Sequence, residues 1–191
     1  MLTIAQAQKE LQIAVQMNPG LWEQHSLVAA DNARRIAEKV SGMDPEKAYI
    51  LGLLHDIGRR EGVTGMRHLM DGYRYLCGVG ETELASVCIT HAYPIKDPKL
   101  FAGKDDCTAE EKAIIAKVLE KREYDDYDRL IQLCDALSLS DGYCYAEQKM
   151  VSSVMKYGFK ETTLSKLHAI LELKKYFDEK IEGDVYTLFE Y

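Results

Sequence analysis

The stretch Ala48-Tyr49-Ile50-Leu51-Gly52-Leu53-Leu54 carries no charged side chain and ends abruptly in His55-Asp56. Such a run is carried into an interior, and an unpaired carboxylate taken there with it would cost several kcal/mol. Asp56 therefore needs a cation, and the neutral imidazole beside it is a good ligand for a transition metal. The first expectation is a metal site at the end of a buried helix.

The surrounding pattern is helical. Residues 3–17 set Ile4, Ala7, Leu11, Ala14 and Val15 on one stripe, and Asn18-Pro19-Gly20 breaks it. A second amphipathic segment runs from about Leu21 to Val40, with Trp22, His25, Ala29, Ile36 and Val40 on one face. Asp44-Pro45 supplies an N-cap and a first-turn proline for the helix that climbs to His55-Asp56. Residues 57–66, with three glycines and Arg59-Arg60, read as a loop. Helices are expected from about Arg67 to Cys77 and from about Thr82 to His91, the latter stopping before Pro94. Residues 92–107 form the longest loop, and long loops in compact domains are often functional. Thr108-Ala109-Glu110-Glu111 is a capping box for a sixth helix, another starts near Asp125 and is expected to end at Asp141-Gly142, and two more cover about 146–157 and 164–181. No convincing alternation of strands is present, so the fold class is all-α: a compact helical bundle of about eight to nine helices.

At 191 residues the chain fits one domain that can bury roughly 70% of its unfolded surface. A net charge of −7 argues against binding to nucleic-acid polymers or to membranes, which needs a basic face. It leaves room for a small anion held by a local cluster of metals and arginines. Five cysteines, odd in number and without a CxxC pair, suggest reduced thiols. With no signal-peptide core near Gln6 and Gln8 and no long apolar span, the expected location is cytoplasmic.

Other polar groups fall where a helical bundle gathers ligands. His25 lies on the inner face of its helix, although a lone histidine there is more often a hydrogen-bonded core residue. Asp135 sits among Leu133, Cys134, Ala136 and Leu137, and Arg129 is out of register for a local pair with it. His68 and His91 stand near helix ends and are weak signals alone. His168, among Leu164, Leu167 and Leu171, is read as structural. Cys88 and His91 have C-x-x-H spacing, but no second pair completes a zinc-finger set.

Taken together, His25, His55-Asp56, His68, His91 and Asp135 resemble the HD superfamily of metal-dependent phosphohydrolases, whose minimal H...HD...D signature is met by His25, His55-Asp56 and Asp135. His68 and His91 look like the extended form that holds two metals. The resemblance implies a single domain over 1–191 with a motif core at about 21–142, the helices of 143–191 having no assigned role. It implies one ion on His25, His55, Asp56 and Asp135 and another on Asp56, His68 and His91, with Asp56 as bridge. Two such divalent ions can activate a shared water and offset phosphoryl charge. Iron or manganese is favoured by the His and carboxylate donors, with cobalt, zinc or magnesium also admitted. Asp56 and Arg59 are then the catalytic candidates, and Arg59, Arg60 and Arg67 the phosphate-binding ones.

The implied activity is hydrolysis of a phosphoester or phosphoanhydride bond in a small phosphorylated metabolite, with a nucleotide favoured. Two other readings share the ligand set: an HD-fold di-iron oxygenase, and a non-catalytic sensor of a phosphorylated ligand. After His91 the chain reads Ala92-Tyr93-Pro94 and lacks the His-Thr-Thr-Gly type of sequence expected in the diadenosine tetraphosphate branch of that superfamily. The exact substrate and the oligomeric state are left open by the sequence.

Overall fold

The apolar run forms the centre of the molecule. In the computed structural model, which describes residues 1–189, Asp44 caps the helix by accepting from the Glu46 and Lys47 amides, and α3 (Pro45–Leu54) follows. Every residue from Ala48 to Leu54 is buried, so beyond its first turn α3 has no solvent face and must be covered on all sides. The cover comes from α1 (Ile4–Met17), α2 (Trp22–Ala37), α5 (Thr82–Thr90) and α7 (Asp126–Ala136).

The tightest crossing is with α2. A Cβ on Gly52 would lie 2.8 Å from the Ala30 Cα and 2.9 Å from the Ala29 oxygen, so only glycine lets the two backbones approach this closely. α2 ends at Ala37, three residues before Val40, which is still buried in the turn that follows.

His55 caps α3, and the chain then turns. Residues Ile57–Glu61 form a 3₁₀ turn where a loop is expected from the glycines. This turn packs on α4 (Arg67–Gly78) through Gly58, whose added Cβ would meet the His68 oxygen at 1.9 Å and the Gly72 nitrogen at 2.3 Å. α4 and α5 pack together. With α6 (Ala109–Lys121), which opens with the expected Thr108 capping box, they enclose a second apolar cluster around Leu69, Met70, Ile89, Tyr93 and Ile115.

α7 is shorter than its apolar pattern predicts. It stops at Ala136, and Ser138–Leu139 (β1) pairs antiparallel with Gly142–Tyr143 (β2), in the register Ser138 with Tyr143 and Leu139 with Gly142. The reason is tertiary. The carbonyls just past its end are held by other segments: Asn32 of α2 donates to Leu137 O at 3.2 Å, the Cys144 amide donates to the same oxygen at 3.0 Å, and the His25 ring contacts Ser138 O at 3.1 Å. α8 (Ala146–Tyr157), closed by Gly158 at φ +80°, and α9 (Thr163–Ile181) then pack on α7 and on each other. The fold is thus all-α, with this two-residue hairpin as its only sheet among the described residues. No helix among them is long and apolar enough to cross a membrane, and all five cysteines are free thiols.

Gly58→Ala forces backbone against backbone rather than against a side chain that can swing aside. We expect it to destabilise the fold by about 3 kcal/mol, the upper end of ordinary overpacking, measured as a lower midpoint in urea unfolding at unchanged slope.

Candidate metal centre

Five helices bring their ends to one place. His25 comes from the first turns of α2, His55 caps α3 and Asp56 follows it, His68 is the second residue of α4, His91 caps α5, and Asp135 is next to last in α7. The end of α5 is fixed against α7 by buried polar bonds. Thr90 donates to Asp128 at 2.7 Å, Gln132 donates to the Thr90 oxygen at 3.0 Å, and Arg122 closes on Asp128 at 2.8 Å. That lock sets His91 relative to Asp135.

All four clustered histidines are oriented in the same way. The Nδ1 of His55 faces the Gly52 oxygen at 2.6 Å, that of His91 the Val87 oxygen at 3.1 Å, that of His25 the Ser138 oxygen at 3.1 Å, and that of His68 the Gly65 oxygen. A carbonyl oxygen can only accept, so each Nδ1 carries a proton, and in the neutral ring Nε2 is then left as a lone pair. Burial pushes the His55 pKa down, and burial together with His55 pushes that of His91 down to about 3, so both rings stay neutral.

Those Nε2 atoms converge on two carboxylates. His25 Nε2 lies 3.0 Å from Asp135 Oδ1 and 3.2 Å from His55 Nε2. His68 Nε2 and His91 Nε2 lie 3.1 Å and 3.7 Å from Asp56 Oδ1, while His55 Nε2 is 4.0 Å from Asp56 Oδ2. Burial opposes ionisation of both acids. Arg59 leads the groups that outweigh it at Asp56, and Lys149 leads them at Asp135, so both carboxyls fall well below the usual range. Asp56 Oδ1 nevertheless has no hydrogen-bond donor. With the neutral His68 ring donating to Gly65, the short distance from this oxygen to His68 brings an acceptor to an acceptor, which a second proton or a metal ion on Nε2 relieves.

Lone pairs that face each other across 3–4 Å repel unless a cation sits among them, and imidazole with carboxylate is a donor set for divalent transition metals. The residues therefore fit a metal. The donor atoms of His25, His55 and Asp135 all lie within 4.8 Å of one another, as do those of His55, Asp56 and His91. His55 belongs to both groups, and His68 adjoins the second through Asp56.

The cluster opens on a cavity of about 550 Å³. Arg59 lines it and binds Asp56 Oδ2 through Nε at 2.6 Å. Arg60 and Arg67, expected at a phosphate, are elsewhere. Successive residues of a 3₁₀ turn point about 120° apart, so the turn that aims Arg59 inward sends Arg60 away. Its guanidinium stacks 3.8 Å from the Tyr75 ring centre and touches Met17 Sδ at 3.1 Å. Arg67 pairs with Asp71 at 3.4 Å on the outer side of α4. His168, read as structural from its leucine neighbours, is on the exposed face of α9 with Glu172 at 4.0 Å.

Sequence reasoning missed the far wall of the cavity, where Lys149, Lys160 and Lys166 stand with Trp22 and Phe101. No motif marks these lysines. Their signal is three-dimensional, because α8 and α9 meet the site only through the fold.

The fold and the donor set define a helical domain with a His and Asp metal centre. The HD domain family model matches residues 22–140, more than half of the chain, and the chain belongs to that family, whose members are in general metal-dependent phosphohydrolases. No curated protein and no solved structure matches it.

In metal-free protein, long-range ¹H–¹⁵N spectra should show a proton on Nδ1 of His25, His55, His68 and His91. The His91 ring should remain neutral down to about pH 5.

Proposed function

We propose that this chain hydrolyses a phosphoester or phosphoanhydride bond of a small phosphorylated metabolite, a nucleotide in our reading, at a site for two divalent ions. The observation that carries the proposal is the convergence of four imidazole Nε2 atoms on two carboxylates, with each Nδ1 held by a backbone oxygen. His25, His55, Asp56 and Asp135 would hold one ion, and Asp56, His68 and His91 the other. In support of a bridging role, the two Asp56 oxygens face different sides, Oδ2 toward His55 and Oδ1 toward His68 and His91. Bound divalent ions supply an activated water and neutralise charge on phosphorus during in-line attack.

The protein's own groups do the rest. Arg59 gives up Nε to Asp56 and presents its guanidinium to the cavity, where it would bind a phosphoryl oxygen. Trp22 and Phe101 offer flat apolar walls to a base. The backbone carbonyls that hold the imidazoles fix the donor atoms before any ligand arrives, so no reorganisation is needed during the reaction.

Protein purified without chelator should contain iron or manganese and release phosphate from a panel of nucleotides and phosphate esters. Asp56→Ala should lose both metal and activity. Arg59→Ala should retain metal and lose about 10- to 100-fold in kcat/KM, the worth of one charge-assisted hydrogen bond. Turnover under anaerobic conditions with manganese would exclude oxygenase chemistry for that substrate. A chain that binds no divalent ion and is inactive with every ion supplied would contradict the proposal.

A further inference from the structure

The cavity wall has the opposite charge balance to the chain. The whole sequence carries 24 lysines and arginines against 31 acids. The cavity is lined by five cationic side chains, Arg59, Lys149, Lys156, Lys160 and Lys166, against two carboxylates, Asp56 and Asp135. Both carboxylates belong to the histidine cluster. The four lysines all lie beyond residue 140, outside the stretch that matches the family, on α8, on α9 and on the turn between them.

Three of these lysines are held at set places. Lys149 Nζ donates to Ser138 O at 2.6 Å, the same carbonyl that orients His25, and lies 3.9 Å from Asp135. Lys166 donates to the oxygen of Ala92, the residue after His91, at 3.2 Å. Lys160 donates to Ala102 O, beside Phe101, at 2.7 Å. Each ammonium has three N–H donors, and the carbonyl takes one. Neither Lys160 nor Lys166 pairs with a carboxylate among the described residues. For Lys166, the more covered of the two, such a charge is costly to hold unless an anion arrives to share it. Burial pushes the Lys166 pKa down, and the neighbouring Lys149 and Lys160 push the same way against the pull of Asp135.

We propose that Lys160 and Lys166 select substrates carrying a second phosphate-like group besides the one to be cleaved. This rests on the phosphohydrolase reading and names the substrate class for it. A phosphoryl group at the histidine cluster is served by Arg59 and the bound ions, and it leaves Lys160 and Lys166 without a phosphate. A ligand with a phosphate chain or with two separate phosphates fills both, and the cavity is large enough for one. Nucleoside polyphosphates and sugar bisphosphates share this chemistry.

Calorimetric titration of the full chain as purified tests the proposal with probes that cannot be cleaved. Methylenediphosphonate should bind at least about tenfold more tightly than methylphosphonate, with a preference that falls as salt rises. Lys160→Ala and Lys166→Ala should each weaken the diphosphonate by about tenfold while leaving the monophosphonate nearly unchanged, and Lys166→Arg should restore the preference. A parallel arm compares α,β-methylene-ADP with the methylenephosphonate analogue of AMP, and a hexose bisphosphonate with its monophosphonate. A preference for the doubly charged member of either pair supports the proposal and identifies the source. Equal binding of singly and doubly charged probes would overturn it, as would a preference that survives both alanine changes in protein shown folded by circular dichroism. If Lys166→Ala does not fold, the exposed Lys160→Ala and the conservative Lys166→Arg decide the question. Loss of phosphate release with the binding preference intact would remove the hydrolase reading alone. Hydrolysis without any such preference would remove this proposal alone.

Discussion

Four hydrogen bonds from imidazole Nδ1–H to backbone oxygens, at Gly52, Gly65, Val87 and Ser138, determine what the centre of this protein can do. They place the proton on the outer nitrogen of each ring and turn the inner nitrogen into a donor of electrons. Without them each ring could choose its tautomer, and neighbouring rings would satisfy one another. With them, a pocket of acceptors surrounds two carboxylates, and only cations relieve it.

The fold exists around that requirement. Beyond its first turn α3 is buried on every side, so the residues at its end are delivered to the interior whatever their polarity. Gly52 brings α2 close enough for His25 to meet His55, and Gly58 brings the 3₁₀ turn onto α4, where His68 begins its helix. Where α7 stops, the carbonyls just past its end bond to side chains of α2, and one of them is the oxygen that orients His25. The same local event therefore ends a helix, starts a hairpin and fixes a ring.

Much of this can be read from the chain. The apolar run that ends in His55-Asp56 and the lone acid Asp135 in an apolar stretch are conflicts between burial and charge, and such conflicts stand out in a sequence. The capping residues Asp44 and Thr108 place their helices correctly. What escapes is decided by contacts between distant segments. The early end of α7 depends on Asn32 and His25, more than a hundred residues away. Arg60 is adjacent to Arg59, and only the 3₁₀ geometry separates their directions. The lysines of α8 and α9 show no periodicity that distinguishes them from surface charge, and their meaning comes from the cavity they enclose.

The central claim is that these lone pairs share divalent ions. Anomalous diffraction from crystals of protein grown with manganese or iron, recorded on either side of the metal edge, tests it most directly. The account predicts two peaks within bonding distance of the histidine Nε2 atoms, with Asp56 between them. Full occupancy of the protein by metal elsewhere, or no peak among His25, His55, Asp56, His68, His91 and Asp135, would contradict it.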